Sequence, residues 1–411
     1  MGGRVESGDE VSAQMGAGKR AIWVAAACAL GSAICVAIPM VVIRPFVPQD
    51  ARALAVALEV RRAAPAVSAV CVGIALGALL WAWGRSGRGA RLALGLLLLV
   101  AIAGAAGARV NIFEEMFHPY AAPVFAQASD VPVDADDKVL AVTIGGEAHA
   151  YPVRTMGYHH VVNDTVGNVP IAVTYCTLCH TGLVWRREID GRTVRFRLAG
   201  IDNGNALVRD EETGTIWQQS TGEAIFGPLK GRHLEVVHSD ELTFALWRQE
   251  QPRGLVLKPD AAYAAEYEPK NWEQHIESTH VVVDTSGSGI GPHRLMLGVT
   301  VAGQNKAYAM DAVLRAKVVG DTVGGLPVVV LVGPDGASVR VFEARDASGG
   351  PMTFVSQGPT VRDAGSGSVW NFQGCAVEGA MAGRCLKPVE SHQDYWFDWM
   401  NHHPGTAVFL G

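Results

Sequence analysis

Two stretches of this sequence, 157 residues apart, decide how the chain is organised. Residues 140–173 read LAVTIGGEAHAYPVRTMGYHHVVNDTVGNVPIAV, and residues 297–330 read LGVTVAGQNKAYAMDAVLRAKVVGDTVGGLPVVV. Aligned without a gap, the two are identical at 14 of 34 positions, and self-similarity at a fixed spacing is typical of an internal repeat. With small gaps the match resumes at Trp217 against Trp370 and at Trp247 against Trp399. The sequence therefore predicts a domain built from two internally duplicated units.

Each unit is predicted to be rich in β-structure, with a little helix. Residues 140–144 and 148–153 flank the pair Gly145-Gly146, a pattern typical of a β-hairpin. In the second unit, β-branched residues flank residues 333–336, Gly-Pro-Asp-Gly, which is a favourable β-turn sequence. The 157-residue shift places residues 176–179, Cys-Thr-Leu-Cys, at the same turn. We therefore expect an α+β domain in which Cys176 and Cys179 lie at a hairpin tip and point away from the core.

The first quarter of the chain is unusually apolar, which explains why 49% of all residues are hydrophobic and only 18% are charged. Uncharged runs occupy residues 21–43, 63–83 and 92–108. The first run is long enough to cross roughly 30 Å of hydrocarbon as a helix. It is also longer than the apolar core of a signal peptide, and no small-x-small cleavage site follows it. We predict three membrane-spanning helices within residues 21–110, the first of them an anchor rather than a cleaved leader.

Positive charges near the ends of these runs predict the orientation of the chain in the membrane, because such side chains resist translocation. Six lie on one side and four on the other: Arg4, Lys19, Arg20, Arg85, Arg88 and Arg91 against Arg44, Arg52, Arg61 and Arg62. The count places a cytoplasmic tail at residues 1–20 and the soluble domain outside the cytoplasm, on the inner membrane. If the third run did not span, the domain would be cytoplasmic. Within that domain, we assign residues 111–255 to the first unit and residues 256–411 to a linker and a second, degenerate unit.

The charge balance excludes a nucleic-acid partner. The net charge is -6, the sequence pI is about 6.1, and Lys and Arg form no basic run. The membrane is thus the one partner that the sequence predicts, and a protein partner cannot be identified from it.

The two units differ in the residues that carry chemistry. Residues shared by both, such as Asp164 with Asp321 and Trp217 with Trp370, are expected to serve the common fold. Every His and Cys of the compared stretch belongs to the first unit, where the second has other residues: His149 (Lys306), His159 (Ala316), His160 (Lys317), Asn163 (Gly320), Cys176 (Gly333), Cys179 (Gly336) and His180 (Ala337). Since the turn forms with Gly333 and Gly336, the two cysteines serve a purpose other than folding.

The first hypothesis for this cluster is a Zn or Cu site, because thiolate and imidazole suit those ions. Its ligands would be Cys176, Cys179 and His159, with His180 or His160 as a further ligand, and Asn163 is another candidate residue of the site. The second hypothesis is a thiol–disulfide oxidoreductase that works through Cys176 and Cys179. The third is a non-catalytic binding module in which the two cysteines form a static disulfide. Whether the chain is an enzyme, and which residues would be catalytic, stays open.

Residues 176–180 also spell Cys-x-x-Cys-His, the attachment motif of haem c. We do not assign haem c, since a five-residue match arises easily and no Met or second His nearby is an obvious axial ligand.

Two further cysteines, Cys375 and Cys385, lie in the second unit where the first has Glu223 and His233. They are expected on segments that return alongside each other, so we predict a disulfide between them. The alternative is a pair of buried free thiols.

An ordered set of motifs resembles a bacterial family known as domain of unknown function 3179. The set comprises residues 150–152 (Ala-Tyr-Pro), His159, Asn163-Asp164, residues 174–179 (Thr-Tyr-Cys-Thr-Leu-Cys), Trp217, Gln219, residues 222–225 (Gly-Glu-Ala-Ile) and Gly227. The resemblance covers about residues 113–411 and implies an exported or membrane-attached protein, without supplying a reaction. It marks His159, Asn163, Cys176 and Cys179, which the comparison of the two units also selects.

At four other positions this chain departs from the family pattern. His149 stands where Arg is frequent, His160 where Glu is common, Thr177 where Pro is common, and His180 where Gly or a basic residue is usual. The departure at His180 argues against haem, because a haem ligand would be expected throughout the family.

Overall fold

The computed structural model describes residues 8–120, 122–357 and 360–411. The chain divides into two compact units, Met1–Glu115 and Met116–Gly411. We call these two ranges the first and the second unit, and we call the two repeats predicted from the sequence the first and the second half of the second unit.

The first unit consists mainly of three long apolar helices, as the sequence predicts. They are α1 (Gly8–Val42), α2 (Ala51–Ala82) and α3 (Arg88–Gly107), and the short helix α4 (Ile112–Phe117) follows them. The segments Gly18–Val42, Ala51–Arg85 and Arg88–Gly107 are long and apolar enough to cross a membrane.

Helix α2 begins twelve residues before the apolar run that predicts it. Asp50 caps this helix, since its carboxylate accepts hydrogen bonds from the backbone N–H groups of Arg52 at 2.9 Å and Ala53 at 3.1 Å. Arg52, Arg61 and Arg62 are therefore helical residues and not loop residues. Residues 1–7 of the predicted tail lie outside the described residues, and helix α1 already includes residues 8–20.

Small residues allow the three helices to pack closely. Ala25, Ala75 and Ala101 are fully buried between them. A Cβ atom added to Gly104 would lie 2.9 Å from the backbone carbon of Ser32, so only glycine permits this approach of α3 to α1.

The second unit is rich in small sheets, in agreement with the predicted α+β class. Its first half (residues 125–257) contains β1 (Phe125–Gln127), β2 (Lys138–Ile144), β3 (Glu147–Pro152), α5 (Val153–His159), β4 (Val161–Val166), β5 (Val169–Cys176), β6 (Thr181–Arg186), β7 (Glu188–Ile189), β8 (Arg192–Thr193), β9 (Phe196–Asp202), β10 (Asn205–Asp210), β11 (Ile216–Gln218), β12 (Ala224–Phe226), β13 (Asp240–Thr243), α6 (Phe244–Glu250) and β14 (Leu255–Leu257). Its larger sheets have the strand orders β1-β14-β3-β2-β13, β4-β5-β6 and β12-β11-β10-β9.

A linker (residues 258–294) that contains the short helix α7 (Trp272–Glu277) leads to the second half (residues 295–409). That half contains β15 (Leu295–Val301), β16 (Gln304–Ala309), α8 (Met310–Ala316), β17 (Val318–Val323), β18 (Leu326–Val332), β19 (Val339–Glu343), β20 (Phe354–Gln357), β21 (Thr360–Asp363), β22 (Val369–Trp370), β23 (Ala376–Glu378), β24 (Ser391–Tyr395), α9 (Trp396–His402) and β25 (Ala407–Phe409). Its sheets have the orders β24-β15-β16-β25, β17-β18-β19 and β20-β21-β22-β23.

The two halves share one order of elements. The run β2-β3-α5-β4-β5 recurs as β15-β16-α8-β17-β18, and each element begins 157 residues later. The sheet neighbours β13-β2-β3-β14 likewise recur as β24-β15-β16-β25. An origin of the halves by duplication stays a prediction.

Shared residues hold the same places in both halves. The indole N–H of Trp217 donates to Asp210 at 2.9 Å, and that of Trp370 donates to Asp363 at 3.0 Å. Each Trp is buried in a hydrophobic cluster that also includes residues of a neighbouring sheet, so each is part of the core of its half.

Candidate functional site

The two cysteines of the first half lie at the tip of the hairpin formed by β5 and β6. Strand β5 ends at Cys176, which pairs with Thr181 at the start of β6. The predicted tip position agrees with this, but the expectation that the cysteines point away from the core is wrong. Cys176 is 2% exposed and Cys179 is fully buried.

The cover comes from the second half of the same unit. The backbone N–H of Tyr395 on β24 donates to the carbonyl of Cys179 at 2.8 Å. Helix α9 follows β24 directly and places Phe397 against Gly204, beside the tip. A segment more than 200 residues away in sequence therefore closes over the cysteines.

The two thiols interact with backbone and amide groups. Both are free, and the Cys179 sulfur lies 3.8 Å from the backbone carbonyl oxygen of Cys176. The Nδ2 atom of Asn205 lies 3.2 Å from the Cys179 sulfur, while the Cys176 sulfur faces the carbonyl of Gly204 at 3.6 Å. The sulfurs thus lie in a polar site and not in an apolar core.

Two buried carboxyl groups complete this site. Asp394 on β24 and Asp398 on α9 are fully buried. The hydroxyl of Thr181 lies 2.9 Å from Asp394 Oδ1 and 3.3 Å from Asp398 Oδ2. Asn205 Nδ2 lies 2.9 Å from Asp398 Oδ2, so one amide group links that carboxylate to the Cys179 sulfur.

Burial controls the protonation of these groups. It raises the pKa of the Cys179 thiol well above its ordinary value, and the hydrogen bond with Cys176 and the charge of Asp398 raise it further. Burial, followed by the charge of Asp398, also raises the pKa of Asp394 well above its usual range. At neutral pH the Cys179 thiol therefore keeps its proton, and burial favours the protonated form of the Asp394 carboxyl group.

His402 lies beside this acid pair. Its Nδ1 atom is 3.2 Å from Asp398 Oδ1, and its Nε2 atom is 2.9 Å from the amide nitrogen of Gln218. Burial by itself would lower the pKa of His402, but the charge and hydrogen bond of Asp398 outweigh it and raise that pKa. The imidazole of His402 thus pairs with the Asp398 carboxyl group.

The corresponding place in the other half carries no such chemistry. Trp247 and Trp399 align β13 and α6 with β24 and α9, which sets Leu242 and Leu246 where Asp394 and Asp398 stand. A Cβ atom added to Gly333, which corresponds to Cys176, would lie 3.3 Å from Leu246. Each hairpin tip therefore faces the opposite half. The tip of the second half does so through Asp335, whose carboxylate accepts a hydrogen bond from the Thr243 hydroxyl at 2.8 Å, and this tip carries no thiol.

The histidines predicted as metal ligands are placed elsewhere. In His159, Nδ1 lies 2.6 Å from the carbonyl oxygen of His118, and Nε2 lies 3.1 Å from the hydroxyl of Tyr267. His160 Nδ1 is 3.1 Å from the carbonyl oxygen of Tyr158, and burial lowers the His160 pKa to about 4.

His180 and Asn163 also have defined partners. The two ring nitrogens of His180 lie 3.2 Å from the Tyr175 hydroxyl and 2.9 Å from Glu273 Oε1. Asn163 exchanges two hydrogen bonds, at 2.8 Å and 2.9 Å, with the backbone of Phe196, which ties strand β4 to strand β9. The structure thus places Cys176 and Cys179 together but does not gather the three histidines or Asn163 around them.

Among the described residues, three potential metal-ligating side chains lie within 4.8 Å of one another only at Asp134, Asp136 and Asp137. Lys270 neutralises part of this exposed group, with its Nζ atom 3.0 Å from Asp136 and 3.4 Å from Asp134. Acidic surface groups of this kind are common without an ion, so the group carries no assignment.

Sequence analysis does not select four polar residues of this site: Asp394, Asp398, Asn205 and His402. They are single polar residues without a motif, and they lie outside the ungapped stretch that was compared. Extending the comparison to β24 and α9 would have revealed the signal, since Leu242 and Leu246 stand opposite Asp394 and Asp398.

In the second half, Cys375 and Cys385 are joined by a disulfide. Glu223 and His233, at the corresponding places in the first half, face each other in the same kind of isolated β-bridge. The disulfide therefore fastens a pairing that both halves contain.

A family model described as "Protein of unknown function (DUF3179)" matches residues 119–406. No curated protein and no solved structure matches the chain. Because the match covers most of the chain, this protein belongs to the DUF3179 family.

Proposed function

We propose that this member of the DUF3179 family is a membrane-anchored thiol–disulfide oxidoreductase whose reactive pair is Cys176 and Cys179. The observation that carries the proposal is the pair of free cysteines at one hairpin tip, where the Cys179 sulfur lies 3.8 Å from the backbone carbonyl oxygen of Cys176. Cys-x-x-Cys pairs commonly cycle between dithiol and disulfide.

The proposed reaction transfers two electrons from the dithiol to a disulfide of a partner. The Cys176 thiolate attacks one sulfur of that disulfide, forms a mixed disulfide and releases the first partner thiolate. The Cys179 thiolate then attacks the Cys176 sulfur, which closes the Cys176–Cys179 bond and releases the second partner thiolate. The two thiol protons pass to the two partner thiolates, so that atoms and charge balance.

The order of attack follows from burial. Cys176 keeps 2% exposure, whereas Cys179 has none and is held by Asn205. A partner sulfur would therefore meet Cys176 first, and Cys179 would be the resolving cysteine.

The resolving step needs a proton acceptor, because burial and nearby charges keep Cys179 protonated. Asp398 is the carboxyl group closest to the Cys179 sulfur in the hydrogen-bond network, since the Asn205 amide donates to both of them. We assign the acceptor role to Asp398, and Asn205 and His402 position it.

The test is a redox titration of the full chain in detergent, with thiols counted by alkylation under denaturing conditions. We expect the alkylatable thiols of Cys176 and Cys179 to be lost together on oxidation and to be recovered on reduction. Replacing either by Ser should abolish this change, while Cys35→Ser, which alters a buried cysteine of helix α1, should not. Two thiols that stay alkylatable across the titration would overturn the proposal. A Cys176–Cys179 bond that resists reduction would favour the static disulfide.

Metal binding is a second candidate, favoured by one observation. The Oδ2 atom of Asp394 is buried without a hydrogen-bond partner among the described residues, and its Oδ1 atom lies 2.9 Å from the hydroxyl of Thr181, the strand partner of Cys176. Thiolates with a carboxylate suit Zn²⁺ better than a group of carboxylates alone. In this version Asp394 takes the place of His159, His160 and His180, whose ring nitrogens have the partners given above. Metal analysis of the reduced and the oxidised chain separates the two candidates, because a site that needs thiolates would lose its ion on oxidation.

Two broader proposals accompany this function. We propose that the two halves arose by duplication of one unit, which the 14 identities in 34 positions and the shared order of elements support. We also propose that the second unit lies outside the cytoplasm, which the count of positive charges and the three long apolar helices support.

A further inference from the structure

The linker between the halves lies against the hairpin tip that carries the dithiol. The hydroxyl of Thr177 donates to Glu268 Oε1 at 3.2 Å, and His180 Nε2 lies 2.9 Å from Glu273 Oε1. The ring of Trp272 packs on that of His180, with the ring centroids 5.1 Å apart. The linker thus contacts the tip on both sides of Cys179.

Exchange with a partner disulfide requires some cover of the tip to move. A partner sulfur must approach the Cys176 sulfur along the line of the bond that breaks, and a residue with 2% exposure offers no such approach. The cover from the second half is a poor candidate for movement, since Trp396, Phe397 and Trp399 of helix α9 are buried core residues.

The linker is the cover with the weakest attachment. It contributes no strand to a sheet, and helix α7 has only six residues. Its ends are anchored by backbone hydrogen bonds, from Lys258 to Val124 at 2.8 Å and from Trp396 to Arg294 at 3.0 Å. Between these ends, the backbone N–H of Glu268 donates to the carbonyl of Arg154 at 3.3 Å, Trp272 packs into the core of the first half, and the side chains of Glu268 and Glu273 contact the tip. A segment that is not paired in a sheet opens at lower free energy than a sheet strand.

We propose, on the basis of the redox function above, that the linker is a strap over the dithiol and that it lifts to admit the disulfide partner to Cys176. Glu268 and Glu273 fasten the closed strap to Thr177 and His180. Lifting the strap frees the tip while strands β5 and β6 stay paired.

The experiment measures the alkylation rate of Cys176 and Cys179 in the folded, reduced full chain in detergent. The double variant Glu268→Gln/Glu273→Gln keeps the shape of both side chains and removes their charges, and we expect alkylation to become about tenfold faster. The matched control is Glu277→Gln, because Glu277 lies on the same helix and is exposed. Its rate should stay within twofold of the unchanged chain, and a double variant that also stays within twofold would overturn the strap.

Hydrogen exchange separates lifting from unfolding. In the double variant, amide protection should fall in the linker and persist in β5 and β6. Protection lost from the linker and from both strands together would also overturn the proposal, because the tip would then be exposed by unfolding.

The outcome is independent of the test of the redox function. If the unchanged chain cycles between dithiol and disulfide but the strap variants alkylate at the normal rate, only the strap is wrong. If strap variants alkylate faster but no chain forms the Cys176–Cys179 bond, the oxidoreductase is wrong and the linker is a cover without that role.

Discussion

Asp398 is the single residue whose replacement best separates thiol chemistry from packing. It is buried, it lies 2.9 Å from the amide that holds the Cys179 sulfur, and His402 lies beside its other oxygen. Asp398→Asn keeps the shape and removes the proton acceptor, so the mixed disulfide should persist. General-base contributions suggest that resolution slows about 100-fold. Mass spectrometry of samples quenched with acid after mixing with a small disulfide would measure this.

The control for Asp398 is Asp363→Asn. Asp363 is also buried, but it accepts its hydrogen bonds from Ser366 and Trp370 in the second half. This variant should resolve the mixed disulfide at the normal rate even if its Tm falls. Equal rates in Asp398→Asn and the unchanged chain would remove Asp398 from the mechanism without affecting the assignment of the two cysteines.

The low pKa of His160 leads us to predict that the folded chain loses stability in mild acid. Burial lowers its pKa from 6.5 to about 4 in the folded chain. Between these values the unfolded chain binds a proton that the folded chain does not, so stability is full above pH 6.5 and falls as the pH falls. The contribution is about 2 kcal/mol between pH 7 and pH 5.

The variant that tests this is His160→Asn, since residue 160 has a φ of 60° and Asn tolerates that region. Its Tm should fall less than that of the unchanged chain when the pH is lowered from 7 to 5. Parallel decreases in both chains would assign the acid sensitivity to other groups.

At this scale, sequence comparison finds residues that differ between the halves but cannot find their surroundings. It selects Cys176 and Cys179 because Gly333 and Gly336 stand opposite them. It also groups them with His159. Nothing in the sequence shows that the two ring nitrogens of this histidine are hydrogen-bonded to the carbonyl of His118 and the hydroxyl of Tyr267. Proximity in a folded chain depends on which strands pair, and composition carries little of that information.

Among the elements, the hairpins are the most predictable, since turn residues and alternating side chains are local signals. The turn at Gly145 and Gly146 joins β2 and β3 as expected. The burial of the β5–β6 tip is not predictable in the same way, because β24 and α9 cover it from the other half. The start of helix α2 is not predicted for another reason, because its first residues and its Asp50 cap lie outside the uncharged run that predicts the helix.

The disulfide between Cys375 and Cys385 should stabilise the segment that follows β23. It closes a loop with a sequence separation of 10 residues. Constraint of the unfolded chain by a loop of this size contributes about 2–3 kcal/mol. Replacing both cysteines by Ala should therefore lower the Tm by about 5–10 °C for a unit of this size.

Peptide mapping of the unreduced chain provides the control for this disulfide. It should recover Cys375 and Cys385 as one linked pair, and reductant should lower the Tm of the unchanged chain but not that of the double Ala variant. Recovery of both as free thiols would show that they pack as small apolar residues instead.

For the whole molecule, the sequence predicts the membrane helices and the β-rich unit, since both follow from patterns that repeat along the chain. It does not predict that the halves exchange contacts through their hairpin tips. In the proposed mechanism the second half has a role although it lacks the Cys-x-x-Cys motif, because it supplies Asp394, Asp398 and His402. A fragment that ends at the first half would keep the Cys-x-x-Cys motif but would lose Asp394, Asp398 and His402, to which we assign the proton transfer and its support.

The side of the membrane on which the second unit lies decides whether the proposed reaction meets a partner disulfide. Three helices long enough to span and a positive N-terminal side predict that the chain after residue 109 is outside the cytoplasm. An enzyme reporter that is active only outside the cytoplasm, fused after Gly411, should then be active, and one that is active only inside should be silent. Moving the fusion point to residue 86, between α2 and α3, should reverse both signals, because that point lies one crossing earlier. The opposite pattern at both points would place the second unit in the reducing cytoplasm, where the Cys375–Cys385 bond would not be expected to persist.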